Sequence, residues 1–238
     1  NIAFELGRTS PAFRSYIGTN NGIGSIGILL DGTEEQKARY LPKLAAGEFL
    51  SSFCLTEPDS GSDAASLKTT AVRDGEFYVI NGTKRFITNA PQAGIFTVMA
   101  RTSREIKGAG GISSFIVEAD TPGVTVGKRD HKMGQKGAHT ADVIFENVRV
   151  PAGNLIGGKE GVGFKTAMKV LDKGRLHIAA LSVGAAQGCL EQAVERARSR
   201  IVFDKPLGEH KHIAFTLARM QARVAGARAL MHEAARRL

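Results

Sequence analysis

Residues 48–158 restrict the fold of this chain most, because they lack the three-to-four spacing of an amphipathic helix. Short apolar runs alternate there with turn residues instead. The runs lie at 49–55, 77–80, 83–88, 95–100, 112–118, 124–126 and 143–148. Several short strands separated by regular turns predict a small antiparallel β-barrel or sandwich. Within this region Asn81-Gly82 lies between two apolar-rich runs and predicts a hairpin turn.

The flanking regions, residues 1–47 and 159–238, are predicted to be helical. Thr33 and Gln36 form a capping-box pattern at the start of one helix, which is predicted to end at Pro42. The fold class is therefore mixed α and β, with a helical N-terminal segment, a central β-domain and a C-terminal helical bundle. The predicted domain boundaries fall after residues 47 and 158.

The C-terminal region repeats apolar side chains in two rows, which is typical of a helix covered on more than one side. Gly184 and Gly188 lie four residues apart and therefore on one helix face. Because glycine has no side chain, this face is predicted to let another helix approach closely.

The positive charge of the chain is concentrated at its C-terminal end. The 238 residues carry a formal net charge of +9, and residues 159–238 hold 15 Lys and Arg against 7 Asp and Glu. An anionic ligand, a nucleic acid or an acidic partner would each account for this excess. Only three aromatic residues occur there, so stacking platforms for nucleic acid are scarce. A basic helical nucleic-acid-binding module is kept as a remote alternative, and neither nucleic acid nor a membrane is expected as a partner.

Other site classes find little support. Cys54 and Cys189 are far apart and are expected to be free thiols in a reducing compartment. The six histidines form no ligand pattern with acids or cysteines, so no metal is predicted. The longest apolar stretch, 176–190, contains polar residues and is too short to cross a bilayer.

The stretch 53–63 reads Phe-Cys-Leu-Thr-Glu-Pro-Asp-Ser-Gly-Ser-Asp and has the composition of a ligand-binding loop. Pro58 should stop a regular strand, and Gly61 permits a tight backbone path that leaves N–H groups free to meet a ligand. Hydroxyl groups beside that path belong to Thr56, Ser60 and Ser62. An ordinary surface turn that caps a helix at Ala64 explains the same residues.

The pattern Thr-Glu-Pro-x-x-Gly-Ser-Asp resembles the flavin-binding loop of the acyl-CoA dehydrogenase family. Phe86-Ile87-Thr88-Asn89 is similar to that family's second flavin stretch, which usually begins with Trp. Further matches follow in the family's order: Gly82-Thr83-Lys84, Met133-Gly134, Asp172-Lys173-Gly174-Arg175 and Phe203-x-Lys205-Pro206-Leu207. The resemblance covers nearly the whole chain. It implies an internal fragment that lacks the family's N-terminal part and most of its C-terminal helical domain.

The resemblance implies FAD as cofactor, held between the β-domain and the C-terminal helices. The implied cofactor-binding residues are Phe53, Cys54, Leu55, Thr56, Gly61, Ser62, Phe86, Ile87, Thr88, Arg200 and Phe203. Thr56 would bond the pyrimidine end of the flavin, and Thr88 would face its N5 side. Phe86 would pack on the flavin in place of Trp, without the indole N–H. Its alternative role is a core residue of the β-domain.

The implied substrate-binding residues are Ser62, Asp172 and Arg175, which match positions along the CoA arm. A buried ion pair between helices is the alternative for Asp172 and Arg175. Arg200 matches an arginine that reaches the FAD of a neighbouring subunit, and a solvated helix-end charge is its alternative. The chain departs from the family at Asp204, where Gly is usual, and at Lys211, where a cofactor-touching Gln is usual.

No catalytic base is expected within this chain. The family places its glutamate either directly before the arginine matched by Arg175 or in a later helical segment. The first position is Gly174 here, and the second lies past Leu238. Glu57 is the nearest acid by motif, but the family does not use it as a base. The fragment alone is therefore expected to be inactive.

The implied reaction is flavin-dependent α,β-dehydrogenation of an acyl-CoA to a trans-2-enoyl-CoA, as in fatty-acid β-oxidation. A glutamate removes the α-proton and the flavin takes the β-hydride. Electron-transfer flavoprotein is the expected acceptor, and a homodimer or homotetramer the expected assembly. The expected location is the cytoplasm of a bacterium or the mitochondrial matrix of a eukaryote. A relative that passes electrons to oxygen, an acyl-CoA or nitroalkane oxidase, is the alternative enzyme.

Overall fold

The computed structural model of the protein describes residues 1–237. It contains two compact units. The β-unit is Ser15–Gly174, and the helical unit combines Asn1–Arg14 with the chain from Arg175 onward. The predicted mixed α and β fold is confirmed, with helices at both ends of the sequence and a curled sheet in its centre. The predicted three-domain division stays a prediction.

A curled seven-stranded sheet forms the centre of the β-unit. Its strands are β1 Leu50–Cys54, β2 Thr70–Asp74, β3 Phe77–Thr88, β4 Ala93–Arg101, β5 Ile112–Glu118, β6 Val124–Val126 and β7 Thr140–Pro151. Their spatial order is β1-β4-β2-β3-β7-β6, with β5 also paired to β4. Most neighbours are antiparallel. β1 runs parallel to β4, so the sheet is mixed at this end.

Aromatic rings from four strands fill the core of the β-unit. Tyr78, Phe96, Phe115 and Phe145 are each at most 2% exposed. The ring centroids of Tyr78 and Phe115 are 4.9 Å apart, and those of Phe96 and Phe145 are 6.4 Å apart in an edge-on arrangement. β4 and β5 are buried along almost their whole length, which explains their continuous rather than alternating apolar character.

The predicted hairpin turn at Asn81-Gly82 is wrong, because both residues lie inside β3. The turn that joins β2 to β3 lies instead at Gly75, which has a φ of +59°. Gly82 sits at a bulge in the pairing with β7, and a Cβ atom there would collide with Thr69. Glycine here serves the close approach of another segment rather than a turn.

The predicted capping box at the start of α4, Glu34–Ala46, is confirmed. The Gln36 N–H donates to the Thr33 hydroxyl at 3.2 Å, and the Thr33 N–H donates to the Gln36 side chain at 3.0 Å. The predicted end at Pro42 is wrong, since the helix continues past it. Proline removes one backbone hydrogen bond, and the buried Tyr40 and Leu44 hold the helix on either side of it.

The other helices are α1 Ile2–Thr9, α2 Pro11–Gly18, α3 Ile26–Asp31, α5 Gly163–Ser199 and α6 Lys211–Arg236. In the helical unit, α1 packs closely on α5. A Cβ atom at Gly184 would collide with the backbone of Phe4, and one at Gly188 would crowd Arg8. The predicted close helix approach at these two glycines is therefore confirmed.

Within residues 1–237, no helix has the length and apolar character needed to span a membrane. The same residues contain no group of three or more His, Cys, Asp or Glu side chains arranged to hold a metal ion.

Candidate functional site

The two predicted flavin stretches meet in the β-unit. One follows β1, and the other forms the end of β3. The backbone N–H of Arg85 donates to the carbonyl of Thr56 at 2.8 Å, which joins the two directly. The Ser52 hydroxyl donates to the Thr88 carbonyl at 2.8 Å and ties β1 to β3 a second time. The side chains of Thr56 and Thr88 are both partly exposed beside this junction.

The loop after β1 is a tight turn closed by its own backbone. The Glu57 N–H donates to the Ser60 carbonyl at 2.9 Å, and the Ser60 N–H donates back at 3.3 Å. The Ser60 hydroxyl is buried and donates to the Asp63 carbonyl at 2.8 Å, so it serves the loop itself rather than a ligand. Ser62 is exposed. The predicted ligand donors are thereby reduced to Thr56 and Ser62.

Gly61 is exposed, and nothing in the described chain requires a glycine there. A Cβ atom would meet no protein atom within 4 Å, and the backbone is not in the left-handed region. The space beside Gly61 therefore suits the close approach of a ligand.

A buried ion pair lies directly beneath this loop. The Nζ atom of Lys84, on β3, lies 2.8 Å from Oε1 of Glu57, and the two side chains are 0% and 5% exposed. Lys84 also donates to the Leu55 carbonyl at 3.1 Å. The Glu57 carboxylate accepts the backbone N–H groups of Lys68 at 2.6 Å and Thr69 at 2.9 Å. The pair thus connects the loop to β3 and to the segment that leads into β2.

These contacts fix the charge of Glu57. Burial alone would raise its pKa, but the charge of Lys84 and the hydrogen bonds from Lys84, Thr69 and Lys68 outweigh burial and lower the pKa. Glu57 is therefore a structural carboxylate with its oxygens already engaged. It is a poor candidate for a catalytic base, which requires a carboxylate free to take a proton.

Phe86 projects from a bulge near the end of β3. The pairing of β3 with β7 breaks between Lys84 and Ile87, and Phe86 has a φ of +58°. Phe86 is 59% exposed, so the alternative role as a core residue is wrong. The Arg85 guanidinium lies 4.8 Å from the ring centroid. The bulge places an aromatic face and a cation beside the loop after β1.

The side chains of the remaining predicted residues of these stretches are buried or partly buried, so these residues would contact a ligand mainly through their backbone. Cys54, Leu55 and Ile87 are buried, and Phe53 is partly buried. Burial raises the pKa of the Cys54 thiol far above its usual value, so this cysteine is not a nucleophile.

Sequence reasoning missed the structural importance of Asn89. It is fully buried and has a φ of +67°. Its N–H donates to the His139 carbonyl at 2.9 Å, and its side-chain amide donates to the Tyr16 carbonyl at 2.9 Å. The flavin stretch is thereby fixed to the segment at the end of α2. A polar residue with a turn-type backbone directly after a strand was the available signal.

In the helical unit, Phe203 and Asp204 form the two-residue turn between β8, Ile201–Val202, and β9, Lys205–Pro206. Phe203 is 86% exposed, and Arg200 is also exposed. Arg175 on α5 is exposed as well. In the β-unit, Asp172 on α5 is exposed too.

The residues of the β-unit fit a flavin. They combine an exposed aromatic ring, hydroxyl donors at Thr56, Ser62 and Thr88, and an open backbone at Gly61. Such a set can pack on a planar ring system and bond its polar edge.

Known proteins resemble this chain over nearly its whole length. Three domain models of acyl-CoA dehydrogenases match the chain: the N-terminal domain over residues 1–48, the middle domain over 52–148 and the C-terminal domain over 161–238. An acyl-CoA dehydrogenase of Bacillus subtilis is 46% identical over 97% of the chain. The chain spans 60% of that relative's length.

Solved structures of acyl-CoA dehydrogenases also resemble this chain. Butyryl-CoA dehydrogenase from Megasphaera elsdenii superposes with a TM-score of 0.94 and 39% identity, over 98% of this chain and 60% of the other. A glutaryl-CoA dehydrogenase in complex with glutaryl-CoA gives a TM-score of 0.94 and 35% identity, over 98% of this chain and 59% of the other. Other relatives include reductases and a subunit of a caffeyl-CoA reductase–Etf complex.

Proposed function

The chain belongs to the acyl-CoA dehydrogenase family, and on that premise we propose that it supplies the flavin-binding core of an enzyme that dehydrogenates an acyl-CoA thioester. FAD is the cofactor of this family, so the predicted cofactor is confirmed at that level. Bound FAD would supply the acceptor for the hydride that leaves the β-carbon of the substrate.

The observation that carries the proposal is the junction of the two flavin stretches at Arg85 and Thr56. Around it, the Thr56 hydroxyl would bond the pyrimidine edge, and Thr88 would lie on the N5 side. The backbone from Phe53 to Leu55 would line the ring, and Phe86 would pack against it and exclude water. Gly61 and Ser62 would approach the pyrophosphate or the CoA arm.

The other proposed ligand-binding residues lie on α5 and in the hairpin after it. Arg175, with Asp172 preceding it on α5, would line the CoA arm, since a guanidinium matches phosphate oxygens. Arg200 would contact the FAD of a neighbouring subunit in a homodimer or homotetramer, and Phe203 would also bind FAD. Electron-transfer flavoprotein is the proposed acceptor, and the bacterial cytoplasm or the mitochondrial matrix the proposed location.

Proton abstraction is the step that this chain does not supply. Glu57 is engaged in the buried ion pair. Gly174 has no side chain, and a Cβ atom there would lie 3.2 Å from Cγ2 of Ile23, so a longer side chain would displace that neighbour. We therefore place the base outside residues 1–238 and expect these residues alone to be inactive.

The relatives differ in the acyl group that their names give. A butyryl group ends in an uncharged methyl, whereas a glutaryl group ends in a carboxylate. Relatives named as reductases run related chemistry towards the saturated product.

The reaction that we propose is dehydrogenation, and an oxygen-using acyl-CoA oxidase is the alternative. Stopped-flow reoxidation in air of the substrate-reduced native protein separates the two, since slow reoxidation is expected of a dehydrogenase.

The test of the flavin site is an FAD titration of the chain followed by fluorescence. Phe86→Ala is expected to weaken FAD binding roughly 3- to 10-fold, as for loss of a stacked aromatic contact. Phe77→Ala is the matched control, because Phe77 is also an exposed aromatic on β3 with an arginine 4.7 Å from its ring centroid. Equal effects of the two substitutions would contradict the site.

Two additions to the loaded chain test the reaction class. Crotonyl-CoA, an enoyl-CoA, is expected to shift the flavin absorbance, because product binding needs no base. Anaerobic butyryl-CoA is expected to leave the flavin colour unchanged. Bleaching at a normal rate would mean that a base lies within residues 1–238. A chain that binds no FAD at all would remove the proposed function.

A further inference from the structure

Arg101, the last residue of β4, connects two loops of the β-unit. Its Nη2 atom donates to the Ala65 carbonyl at 2.8 Å, and its Nε atom donates to the Leu67 carbonyl at 3.4 Å. Its Nη1 atom donates to the carbonyls of Ile106 and Gly108, both at 3.3 Å. The fork of one guanidinium therefore bonds the loop after β1 and the loop that joins β4 to β5 at the same time.

The backbone around Arg101 keeps the guanidinium in this position. The Arg101 N–H donates to the Thr69 carbonyl at 2.8 Å, two residues after the segment that the side chain bonds. On the other side, a Cβ atom on the buried Gly111 would lie 2.8 Å from Nη1 of Arg101 and 2.4 Å from the Ile106 carbonyl oxygen. Glycine at 111 therefore leaves the space that the guanidinium occupies.

The loop after β1 is thus attached at both of its ends. The buried pair of Lys84 and Glu57 holds the first half, and Arg101 holds the second half through the carbonyls at 65 and 67. Residues 61–63 lie exposed between the two attachments. Their geometry therefore depends on both.

The backbone of this exposed part suits an anion. The hydroxyls of Ser60 and Ser66 donate to the Asp63 carbonyl at 2.8 and 2.7 Å, so that carbonyl is already engaged within the loop. No backbone carbonyl among residues 1–237 accepts the N–H groups of Gly61 and Ser62. Successive free N–H groups form a concave site for an anion such as a phosphate.

We propose that Arg101 is a positioning residue, which holds Gly61 and Ser62 where their N–H and hydroxyl groups bind a phosphate group of the ligand. The inference rests on the proposed function, in which these two residues approach the pyrophosphate of FAD or the CoA arm. Arg101 acts through the backbone rather than on the ligand, because its guanidinium already donates to four carbonyls.

The experiment compares FAD with riboflavin, which has the same ring system but no phosphate. Both are titrated into the native protein that carries this sequence, after removal of its flavin, and binding is followed by flavin fluorescence. If the phosphate belongs to FAD, Arg101→Met should weaken FAD binding about 10-fold, near the lower end for loss of a hydrogen bond to a charged group. Riboflavin affinity should then change less than about 2-fold, because the residues proposed to contact the ring are left in place.

A second comparison identifies the source of the phosphate. Crotonyl-CoA is compared with crotonyl-pantetheine, which lacks the phosphates and the nucleotide of CoA, by the absorbance shift of the FAD-loaded protein. If the phosphate belongs to CoA, Arg101→Met should weaken crotonyl-CoA selectively and leave FAD affinity unchanged. A selective loss in either comparison supports the inference and names the ligand whose phosphate is bound.

Two further variants separate positioning from folding. Arg101→Lys keeps the charge without the fork and should show an intermediate, equally selective loss, so it decides the matter if Arg101→Met does not fold. Arg73→Met removes an exposed arginine of β2 that also donates to a backbone carbonyl, that of Gly75 at 3.3 Å. This control should leave all four affinities unchanged.

Three outcomes would overturn the inference. The first is an Arg101→Met variant that loses FAD and riboflavin equally and the two thioesters equally, which is the result of a merely structural role. The second is wild-type affinity for all four ligands in that variant. The third is wild-type affinity in Arg101→Lys, since charge alone would then suffice. A wild type that binds neither flavin would instead refute the proposed function, and this inference with it.

Discussion

Removal of the Lys84 side chain tests whether the buried ion pair holds the flavin loop in place. In the Lys84→Met variant the methionine nearly fills the space of the lysine stem but carries no charge. Glu57 would then keep its hydrogen bonds from Lys68 and Thr69. It would lose a partner at 2.8 Å in a place where its side chain is only 5% exposed.

The expected loss of stability is about 4 kcal/mol. Breaking a buried pair by removing one partner costs about 3–5 kcal/mol, and the two backbone donors that Glu57 keeps favour the lower end. The Leu55 carbonyl would lose its bond from Nζ, which adds about 1 kcal/mol. For a unit of this size, 1 kcal/mol corresponds to about 2–4 °C in Tm, so Tm should fall by about 8–16 °C.

The chain contains an exposed ion pair that serves as a control, and its tyrosines serve as a fluorescent probe of unfolding. Lys68 lies 2.9 Å from Asp59 in the same loop, but both side chains are at least 70% exposed. Lys68→Met should therefore cost at most about 1 kcal/mol. The chain has no Trp and three Tyr residues, Tyr16, Tyr40 and Tyr78, all within the β-unit. Tyrosine fluorescence during thermal unfolding thus reports on the β-unit alone.

The double variant Glu57→Gln with Lys84→Met separates stability from flavin binding. Without any buried charge it should recover part of the lost stability, yet FAD affinity should stay reduced because the loop has lost its connection to β3. If Lys84→Met lowers Tm no more than Lys68→Met does, the buried pair does not hold the loop. Wild-type FAD affinity in the double variant would refute the positioning role.

Two further predictions concern acid stability and helix packing. Burial raises the pKa of Glu57, but Lys84 and the hydrogen bonds to the carboxylate lower it overall. Its contribution is therefore present above the unfolded pKa of about 4.3 and lost as pH falls further. Acid titrations of Tm should show a shallower decline below about pH 5 for Glu57→Gln than for the wild type, and an unchanged decline would contradict this. Gly184→Ala should destabilise the helical unit by about 1–3 kcal/mol, because its Cβ atom collides with the Phe4 backbone. Gly226→Ala in α6, where a Cβ atom meets nothing within 4 Å, should instead stabilise by about 0.5–1 kcal/mol, and helical circular dichroism on heating measures both.

The sequence predicted correctly those features that depend on contacts between residues close together in the chain. The capping box of Thr33 and Gln36 formed as expected, because both of its hydrogen bonds join residues three apart. Asn81-Gly82 shows the opposite case. Its turn propensity is local, but β3 pairs with β7 on both sides of Gly82, and that long-range pairing keeps the strand extended. Pro42 failed as a helix stop for a related reason, since the burial of Tyr40 and Leu44 outweighs one lost hydrogen bond.

The sequence predicted the motifs of the candidate site but not the buried contacts that hold those motifs in place. The sequence indicated Thr56, Phe86 and Thr88 through spacing and residue type. It did not reveal that Lys84 is fully buried, because a lysine in a strand is normally solvated. The partner of that lysine, Glu57, lies 27 residues earlier. Only the fold brings the two charges together.

The departure from the family pattern at Asp204 has two physical aspects, its negative charge and its backbone conformation. From the sequence it adds negative charge near an expected pyrophosphate. In the structure Phe203 and Asp204 have φ values of +50° and +60° and form a two-residue hairpin turn. Glycine adopts this conformation without strain, and aspartate is among the few other residues that tolerate it. The backbone geometry therefore explains why a glycine suits this position, and aspartate is able to adopt the same geometry. The turn also keeps Phe203 exposed, as its proposed contact with FAD requires.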